Sequence, residues 1–422
     1  MTKSHRARLA IFSTVFIDLL GFGIVIPILP LYAKTIADHP SPWMGHVNHL
    51  LGLGGAGTSP GIFWAGVTFL VYSLMQFIAT PILGRISDLT GRKPVLWMSL
   101  MGTVVGYTMM ALTSRFEWVL AARILDGITG GNISVAQAAM ADSSAPEERS
   151  KVMGMIGAAF GLGFVIGPAL AGILSGSALG QHLLAVHGWH LPFLVAAGLS
   201  LIASLMVLLW MPETLTAEVR GRARSRESRG HALVEAVKRQ GMPQIMAIAL
   251  MAMAGFAMME GTFSLLANAR FQFGQQKVGY LFAYLGILIV LYQGGLVRVV
   301  AKRLPERAAL WTGLLLMALS LPLLPVLAWK WPFLLILIPL AWGSGMNSTA
   351  TSALASRLTP AEDQGSLFGT MNAMTGLGRI VGPLAGTFLF ARWGVHSTYQ
   401  ASAGIMILAL LLAFTLPRKE LA

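Results

Sequence analysis

Apolar stretches long enough to cross a lipid bilayer recur along almost the whole chain, and this feature constrains the fold most. A transmembrane helix needs about 20 predominantly apolar residues, and twelve such windows follow one another between Leu9 and Leu416. Charged residues make up 11% of the chain, whereas a soluble domain carries about 25%. We therefore predict an all-α integral membrane protein with twelve transmembrane helices.

The distribution of basic residues predicts the orientation of these spans. The loops and termini on one side hold 22 of the 30 Lys and Arg residues, and the opposite loops hold six. Because short basic loops stay in the cytoplasm, both termini are predicted to be cytoplasmic. This topology accounts for the net charge of +13. A nucleic-acid-binding face is the alternative, but no folded soluble domain is predicted that could carry it. The predicted spans are 9–32, 61–84, 95–113, 117–140, 152–175, 190–211, 243–268, 278–300, 308–328, 332–355, 366–391 and 397–416.

An internal repeat predicts two related halves. Shifting the chain by 215 residues aligns an Asn, a Glu, a Gly-Pro pair and several glycines of the fourth and fifth spans with those of the tenth and eleventh. The predicted domains are residues 1–211, a basic cytoplasmic linker at 212–242, and residues 243–422. Parallel six-helix repeats imply a pseudo-twofold axis along the membrane normal and a solute path between the halves. The aligned pairs are Asn132 with Asn347, Gly130 with Gly345, Glu147 with Glu362, Gly154 with Gly369, Gly161 with Gly376, Gly163 with Gly378, and Gly167-Pro168 with Gly382-Pro383.

The loop after the second span has the sequence pattern of a conformational latch. Asp88 can face the positive end of a helix or pair with a basic side chain, and the two glycines allow tight turns. The segment resembles the signature loop of the major facilitator superfamily, G-x-x-x-D-R-x-G-R-R/K, with Leu89 in place of the first Arg. This resemblance implies the major facilitator fold and a latch formed by Gly84, Asp88, Gly91, Arg92 and Lys93.

Charged residues inside predicted spans are candidate coupling sites, because a charge in the bilayer is costly unless it faces a cavity or a partner. Arg123 and Asp126 lie three residues apart on one helix face. They are either a coupling site or a structural ion pair. Asp18 can bind a proton or serve as a salt-bridge partner. In the second half, Glu260 is a further proton or cation site, or the ion-pair partner of Arg379.

Two further segments resemble one branch of the superfamily. The fifth span is similar to the antiporter motif G-x-x-x-G-P-x-x-G-G, with Ala171 in place of one Gly; close helix packing is the alternative reading. The first span is similar to that of tetracycline exporters, with an acidic residue before a Gly-rich stretch. In the superfamily an Arg at the position of Arg123 is associated with proton coupling. The motif residues are Gly163, Gly167, Pro168 and Gly172.

Aromatic and amide side chains within the spans are candidates for a solute cavity, which would suit flat, partly apolar or cationic molecules. The exposed-loop histidines His39, His46 and His49 lack an acidic or thiolate partner, so we expect no metal site there. The candidate cavity residues are Tyr72, Gln76, Gln137, Tyr284, Tyr292, Gln293, Asn347, Asn372 and Arg379.

Together these features predict a proton-coupled antiporter of the cytoplasmic membrane that exports drug-like or lipophilic molecules by alternating access. No phosphate-binding G-x-x-x-x-G-K-[ST] loop is present, so an ion gradient is the expected energy source. We expect a monomer that uses substrate, protons and lipids, without cofactor, nucleic acid or enzymatic activity. A metabolite uptake carrier or uniporter and a transport-inactive sensor are the alternatives.

Overall fold

The computed structural model describes residues 3–53, 55, 57–144, 148–187, 190–215, 241–359 and 364–417, and these residues form helices without a β-strand. Short turns or loops separate the helices. They are α1 Lys3–Ala37, α2 Pro42–Leu50, α3 Pro60–Thr90, α4 Arg92–Leu112, α5 Phe116–Thr129, α6 Ile133–Asp142, α7 Arg149–Gly176, α8 Ala178–His187, α9 Leu191–Trp210, α10 Met242–Phe271, α11 Gln275–Leu291, α12 Val297–Arg303, α13 Glu306–Leu323, α14 Lys330–Arg357, α15 Gln364–Trp393 and α16 Val395–Phe414.

Ten helical segments in the described residues are long and apolar enough to cross a membrane. The predicted fourth span is not one of them, because the 3₁₀ turn Gly130–Asn132 separates α5 from α6. The predicted ninth span is not among the ten either, although α13 covers most of it, because this 18-residue helix begins with the charged residues Glu306 and Arg307. The multi-pass membrane architecture is therefore confirmed, whereas the number twelve and the side of the termini stay predictions.

Two compact units divide the chain in a way that cuts through helices α3 and α11. Unit 1 comprises Met1–Ile36, Val71–Arg226 and Phe273–Gly286, and unit 2 comprises Ala37–Leu70, Glu227–Gln272 and Ile287–Ala422. Most of the predicted linker, residues 216–240, lies outside the described residues. The boundaries 1–211, 212–242 and 243–422 remain predictions.

Glycines bring the first helix of unit 1 into backbone contact with α7. A Cβ atom built on Gly23 would lie 2.6 Å from the carbonyl oxygen of Gly163, and one on Gly167 would lie 2.7 Å from Gly23 Cα. Only glycine permits such an approach without displacing one of the helices. A cluster of buried apolar side chains, which includes Leu19, Leu100 and Val207, forms another part of the unit 1 core.

In unit 2, glycines bring α15 into backbone contact with α10 in the same way. A Cβ atom on Gly378 would lie 2.9 Å from the backbone nitrogen of Ala254, and one on Gly382 would lie 2.5 Å from its carbonyl oxygen. Gly378 and Gly382 are the residues that the 215-residue shift aligns with Gly163 and Gly167. The aligned glycines thus make the same kind of helix contact within their own units.

A third aligned pair of glycines also has matching surroundings. Gly130 packs against Tyr72 in unit 1, and Gly345 packs against the ring of Tyr292 in unit 2. Each tyrosine lies on a neighbouring helix of its own unit. The aligned residues Glu147 and Glu362 lie outside the described residues.

Candidate functional site

The charged pair of the fourth predicted span lies in the interior of unit 1. Arg123 donates through Nη1 to Asp126 Oδ2 at 2.6 Å, and the two residues are 1% and 2% exposed. The guanidinium carbon of Arg123 lies 3.9 Å from the centre of the Tyr72 ring. Charge pairing and the ring face both stabilise a cation that would otherwise be buried without compensation.

The 3₁₀ turn after this pair is held by a side chain from α3. Gln76 donates through Nε2 to the carbonyl oxygen of Gly130 at 2.9 Å and to the Tyr72 hydroxyl at 3.1 Å. Gly127 and Gly131 let α5 and the turn approach α3 closely, because added Cβ atoms would lie 2.5 Å from Tyr72 O and 3.0 Å from Thr80 Cα. The turn therefore ends α5, and the residues that follow no longer continue the helical faces of α5.

This turn brings a third charged residue into the cluster. Asn132, which is 4% exposed, donates through Nδ2 to Asp18 Oδ2 at 3.4 Å. The carboxylates of Asp18 and Asp126 are close enough to interact electrostatically. We name Asp18, Tyr72, Arg123, Asp126 and Asn132 the polar cluster. The sequence identified four of these residues as candidates, but it predicted no contact between Asp18 and Asn132.

The antiporter-type motif of α7 serves two different neighbours. Gly163 and Gly167 face α1, as described above. Gly172 faces α11 within unit 1, because a Cβ atom there would lie 2.7 Å from the carbonyl oxygen of Gln276. On the same side, a Cβ atom on Gly279 would lie 2.6 Å from the carbonyl oxygen of Pro168. The motif therefore forms a three-helix junction, which is more than close packing between two helices.

The predicted latch loop contains an ion network within unit 1. Arg92 is 5% exposed and contacts Asp88 Oδ1 at 2.6 Å, Asp142 Oδ2 at 3.0 Å and Ser87 Oγ at 2.6 Å. Asp142 comes from the end of α6, so the network connects α3, α4 and α6. Gly84 and Lys93 lie at the same end of the unit. The opening and closing role of the loop stays a prediction.

Glu213, which follows α9, caps the N-terminus of α4, the helix that begins in the latch loop. Its carboxylate accepts the backbone N–H groups of Arg92 at 2.9 Å, Lys93 at 3.2 Å and Leu215 at 2.9 Å. Gly91 has φ of 118°, a conformation that favours glycine, and a Cβ atom there would overlap Glu213 Oε2. The sequence did not predict this cap, because it depends on two helices that are far apart in the chain.

We expect Glu213→Gln to lower the stability of the protein by roughly 0.5–1 kcal/mol. The substitution removes a negative charge at the positive end of α4 and one strong hydrogen-bond acceptor. Thermal unfolding of the purified protein in detergent measures the effect. Asp38→Asn removes a negative charge from an exposed side chain that follows the end of α1 and does not lie at a helix N-terminus, and it serves as the control. Equal effects of the two substitutions would contradict the capping role.

Glu260 and Arg379 both lie in unit 2, on α10 and α15. The charge of Arg379 acts on the Glu260 carboxylate, but the two described side chains do not form an ion pair. Glu260 is half-buried, whereas Arg379 and Asn372 are exposed. The ion-pair alternative is therefore wrong for this conformation, and a polar face on unit 2 remains.

The structure distributes the other cavity candidates over different environments. Tyr292 is 1% exposed beneath Gly345, and its hydroxyl lies 3.5 Å from Thr349 Oγ1. It begins a short π-helical segment, Tyr292–Leu296, in which Gln293 is exposed. Their roles in solute binding stay predictions. Gln137, Tyr284 and Asn347 are half-buried.

The loop histidines are all exposed, on and beside α2. In the part of the chain that the structure describes, no three metal-ligating side chains form a group that could hold an ion. Comparison with known proteins adds the family. A model described as Major Facilitator Superfamily matches residues 11–330 and 296–422. The chain belongs to this superfamily of transporters.

Individual members of the superfamily match over nearly the full length. The chain is 33% identical to the class C tetracycline resistance protein of Escherichia coli, covering 97% of this chain and 96% of that protein. It is 26% identical to major facilitator superfamily domain-containing protein 10 of Bos taurus, covering 96% and 91%. The resemblance to tetracycline exporters drawn from the first and fifth spans is thereby confirmed.

Solved structures show the same fold. The crystal structure of the human organic anion transporter MFSD10 (TETRAN) aligns with a TM-score of 0.69 at 25% identity, covering 98% of this chain and 100% of that one. The crystal structure of the POT family transporter PepTSo aligns with a TM-score of 0.73 at 14% identity, covering 98% of each chain. At 14% identity, the match to PepTSo indicates a shared fold only.

Proposed function

We propose that this protein is a proton-driven antiporter that exports drug-like or lipophilic molecules by alternating access. The observation that carries the proposal is the polar cluster of unit 1, in which Asp126 pairs with Arg123 and the neighbouring Asp18 accepts a hydrogen bond from Asn132. The tetracycline resistance proteins that match the chain support export of a drug-like solute.

Proton coupling follows from the charge balance of the polar cluster. Arg123 is paired with Asp126, whereas the described contact of Asp18 is with the neutral amide of Asn132. A proton on Asp18 removes a negative charge that would otherwise repel Asp126. Exchange of that proton for a solute during alternating access couples the two fluxes. The same arrangement leaves the net charge of the cluster at zero when Asp18 is protonated.

A vesicle assay tests this proposal. Tetracycline added outside proteoliposomes with an acidic interior is expected to raise the internal pH. The reason is that tetracycline enters in exchange for protons that leave the interior. Asp18→Asn is expected to abolish this exchange, whereas Glu117→Gln is expected to retain it. An internal pH-sensitive dye and radiolabelled tetracycline measure the two fluxes. Tetracycline movement that ignores the proton gradient in the unsubstituted protein would overturn the proposal.

A metabolite uptake carrier of the same fold is the second candidate. The α7 junction at Gly163, Gly167 and Gly172 favours export, because these residues belong to a segment that resembles the antiporter motif. Net accumulation of a sugar or organic acid by cells that carry the protein, with no effect on tetracycline content, would favour uptake. A transport-inactive sensor would show neither flux.

A further inference from the structure

An exposed arginine lies near the middle of a membrane-spanning helix in unit 2. The spanning part of α15 is Gly369–Trp393, and Arg379 is about 15 Å along the helix axis from its start. Arg379 is exposed in this structure. A guanidinium group at this depth is too costly to face hydrocarbon, so it must face water or a polar solute.

The residues that follow Arg379 on the same side of α15 are covered by α3, whereas Arg379 itself is not. Arg379, Pro383 and Thr387 follow one another at four-residue spacing, so they form a stripe on one side of α15. Gly66 of α3 packs against this stripe: a Cβ atom there would lie 2.9 Å from Pro383 O and would overlap Thr387. Pro383 and Thr387 are buried by this contact, and Arg379 is the next residue of the stripe and is exposed.

The nearest acidic residue leaves the guanidinium group available. Gly261 of α10 packs against Pro383, with an added Cβ atom 2.9 Å from Pro383 Cβ. This contact places Gly261, the chain neighbour of Glu260, beside the stripe. Arg379 makes no ion pair or side-chain hydrogen bond with the side chains that the structure describes, although its charge acts on Glu260. Its donor groups are therefore free for a solute.

Glu260 and Arg379 are the charged residues of the described unit 2 spans that lie more than two turns from a helix end. Of the two, Arg379 is exposed and Glu260 is half-buried. The more accessible charge on this face is therefore positive. Asn372, two turns from Arg379 towards the start of α15, is also exposed and adds an amide donor on the same side of the helix.

We propose that Arg379 recognises a negatively charged oxygen group, a carboxylate or an enolate, on a flat and partly apolar solute. A guanidinium group presents paired N–H donors that match two oxygens of such an anion. Glu260 competes with the solute for Arg379, so its negative charge weakens solute binding. This assignment rests on the proposed transport function and adds the charge class of the solute.

Paired probes that differ in charge test the assignment. We choose 2-naphthoate and its neutral amide, 2-naphthamide, and measure their binding to the purified protein in detergent by titration calorimetry. The unsubstituted protein is expected to bind 2-naphthoate roughly tenfold more tightly than 2-naphthamide, the range of one charge-assisted hydrogen bond. Absence of this preference, including absence of any naphthoate binding, would overturn the proposal.

Substitutions on the two charged residues give opposite expected effects. Arg379→Gln is expected to remove the preference for 2-naphthoate, and Arg379→Lys to retain part of it. Glu260→Gln is expected to raise the affinity for 2-naphthoate several-fold, by about the effect of one removed like charge, and to leave 2-naphthamide unchanged. Arg303→Gln, which removes an exposed positive charge at the end of α12, is the control.

The outcomes separate this proposal from the proposed function. A preference for 2-naphthoate that survives Arg379→Gln would overturn the role of Arg379, even if transport is proton-driven. Transport that is indifferent to protons would overturn the antiport proposal and leave the anion preference intact. If Arg379→Gln does not fold, Arg379→Lys and Glu260→Gln decide, since unchanged naphthoate binding in both would also overturn the role of Arg379.

Discussion

Arg123→Gln is expected to destabilise the protein by about 3–5 kcal/mol and to abolish transport. The substitution leaves the Asp126 carboxylate buried without its partner, and removing one member of a buried ion pair typically has an effect of this size. It also removes the cation that lies 3.9 Å from the centre of the Tyr72 ring. Thermal unfolding in detergent and tetracycline flux in proteoliposomes measure the two effects.

A double substitution separates the loss of the pair from a general disruption of the core. In Arg123→Gln combined with Asp126→Asn no unpaired charge remains, so part of the lost stability is expected to return while transport stays absent. Arg123→Lys keeps the charge and is expected to be more stable than Arg123→Gln. A double variant as unstable as Arg123→Gln would show that the unpaired Asp126 charge is not what destabilises Arg123→Gln.

Gly167→Ala is expected to destabilise the protein by roughly 1–3 kcal/mol and to reduce transport strongly. The added methyl group would lie 2.7 Å from Gly23 Cα and 2.8 Å from Leu20 O, and backbone atoms cannot give way as a side-chain tip can. The helices α1 and α7 must therefore separate. Displacement of α1 also moves Asp18 relative to Asn132, which lies on the turn before α6.

Gly157→Ala on the same helix is the matched control. An added Cβ atom at Gly157 meets nothing within 4 Å, so this substitution is expected to be neutral or to stabilise α7 by up to about 1 kcal/mol. The two variants change the same residue type on the same helix. If both have the same melting temperature and transport rate, close packing at Gly167 is not what the motif provides.

Both predictions concern groups that compensate for the low dielectric of the membrane region. In water the pairing of Arg123 with Asp126 would contribute little, because solvent would screen the charges. Inside unit 1 both side chains are buried, so solvent does not screen their charges. The glycines of α7 support another polar contact in this region. They bring the backbone of α1 close to α7, and Asp18 of α1 lies near the turn that follows α5.

Much of the membrane architecture could be predicted because its signals are local. Apolar length specifies a span regardless of its neighbours, and charge in the spans singles out Asp18, Arg123, Asp126, Glu260 and Arg379 as candidates. The superfamily could also be identified, since the loop around Asp88 and the glycines of α7 follow patterns of short range. The break of the fourth span was not predicted, because Gly130 and Gly131 are compatible with a continuous helix.

The contacts of the candidate site could not be predicted, since they join residues far apart in the chain. Asp18 and Asn132 are separated by 114 residues, and Arg92 and Glu213 by 121. The sequence also left open whether Glu260 and Arg379 pair with each other. In the structure the charge of Arg379 acts on Glu260 without an ion-pair contact between their side chains.

The sequence by itself determined that this chain is a multi-pass membrane protein of the major facilitator superfamily and which side chains carry charge within its spans. The tertiary structure decided how those charges are partnered: Arg123 with Asp126 and Tyr72, Asp18 with Asn132, and Arg379 with no described side chain. The physical reason is range. Hydrophobic length acts on each segment separately, whereas the pairing of a charge depends on where other helices place their atoms.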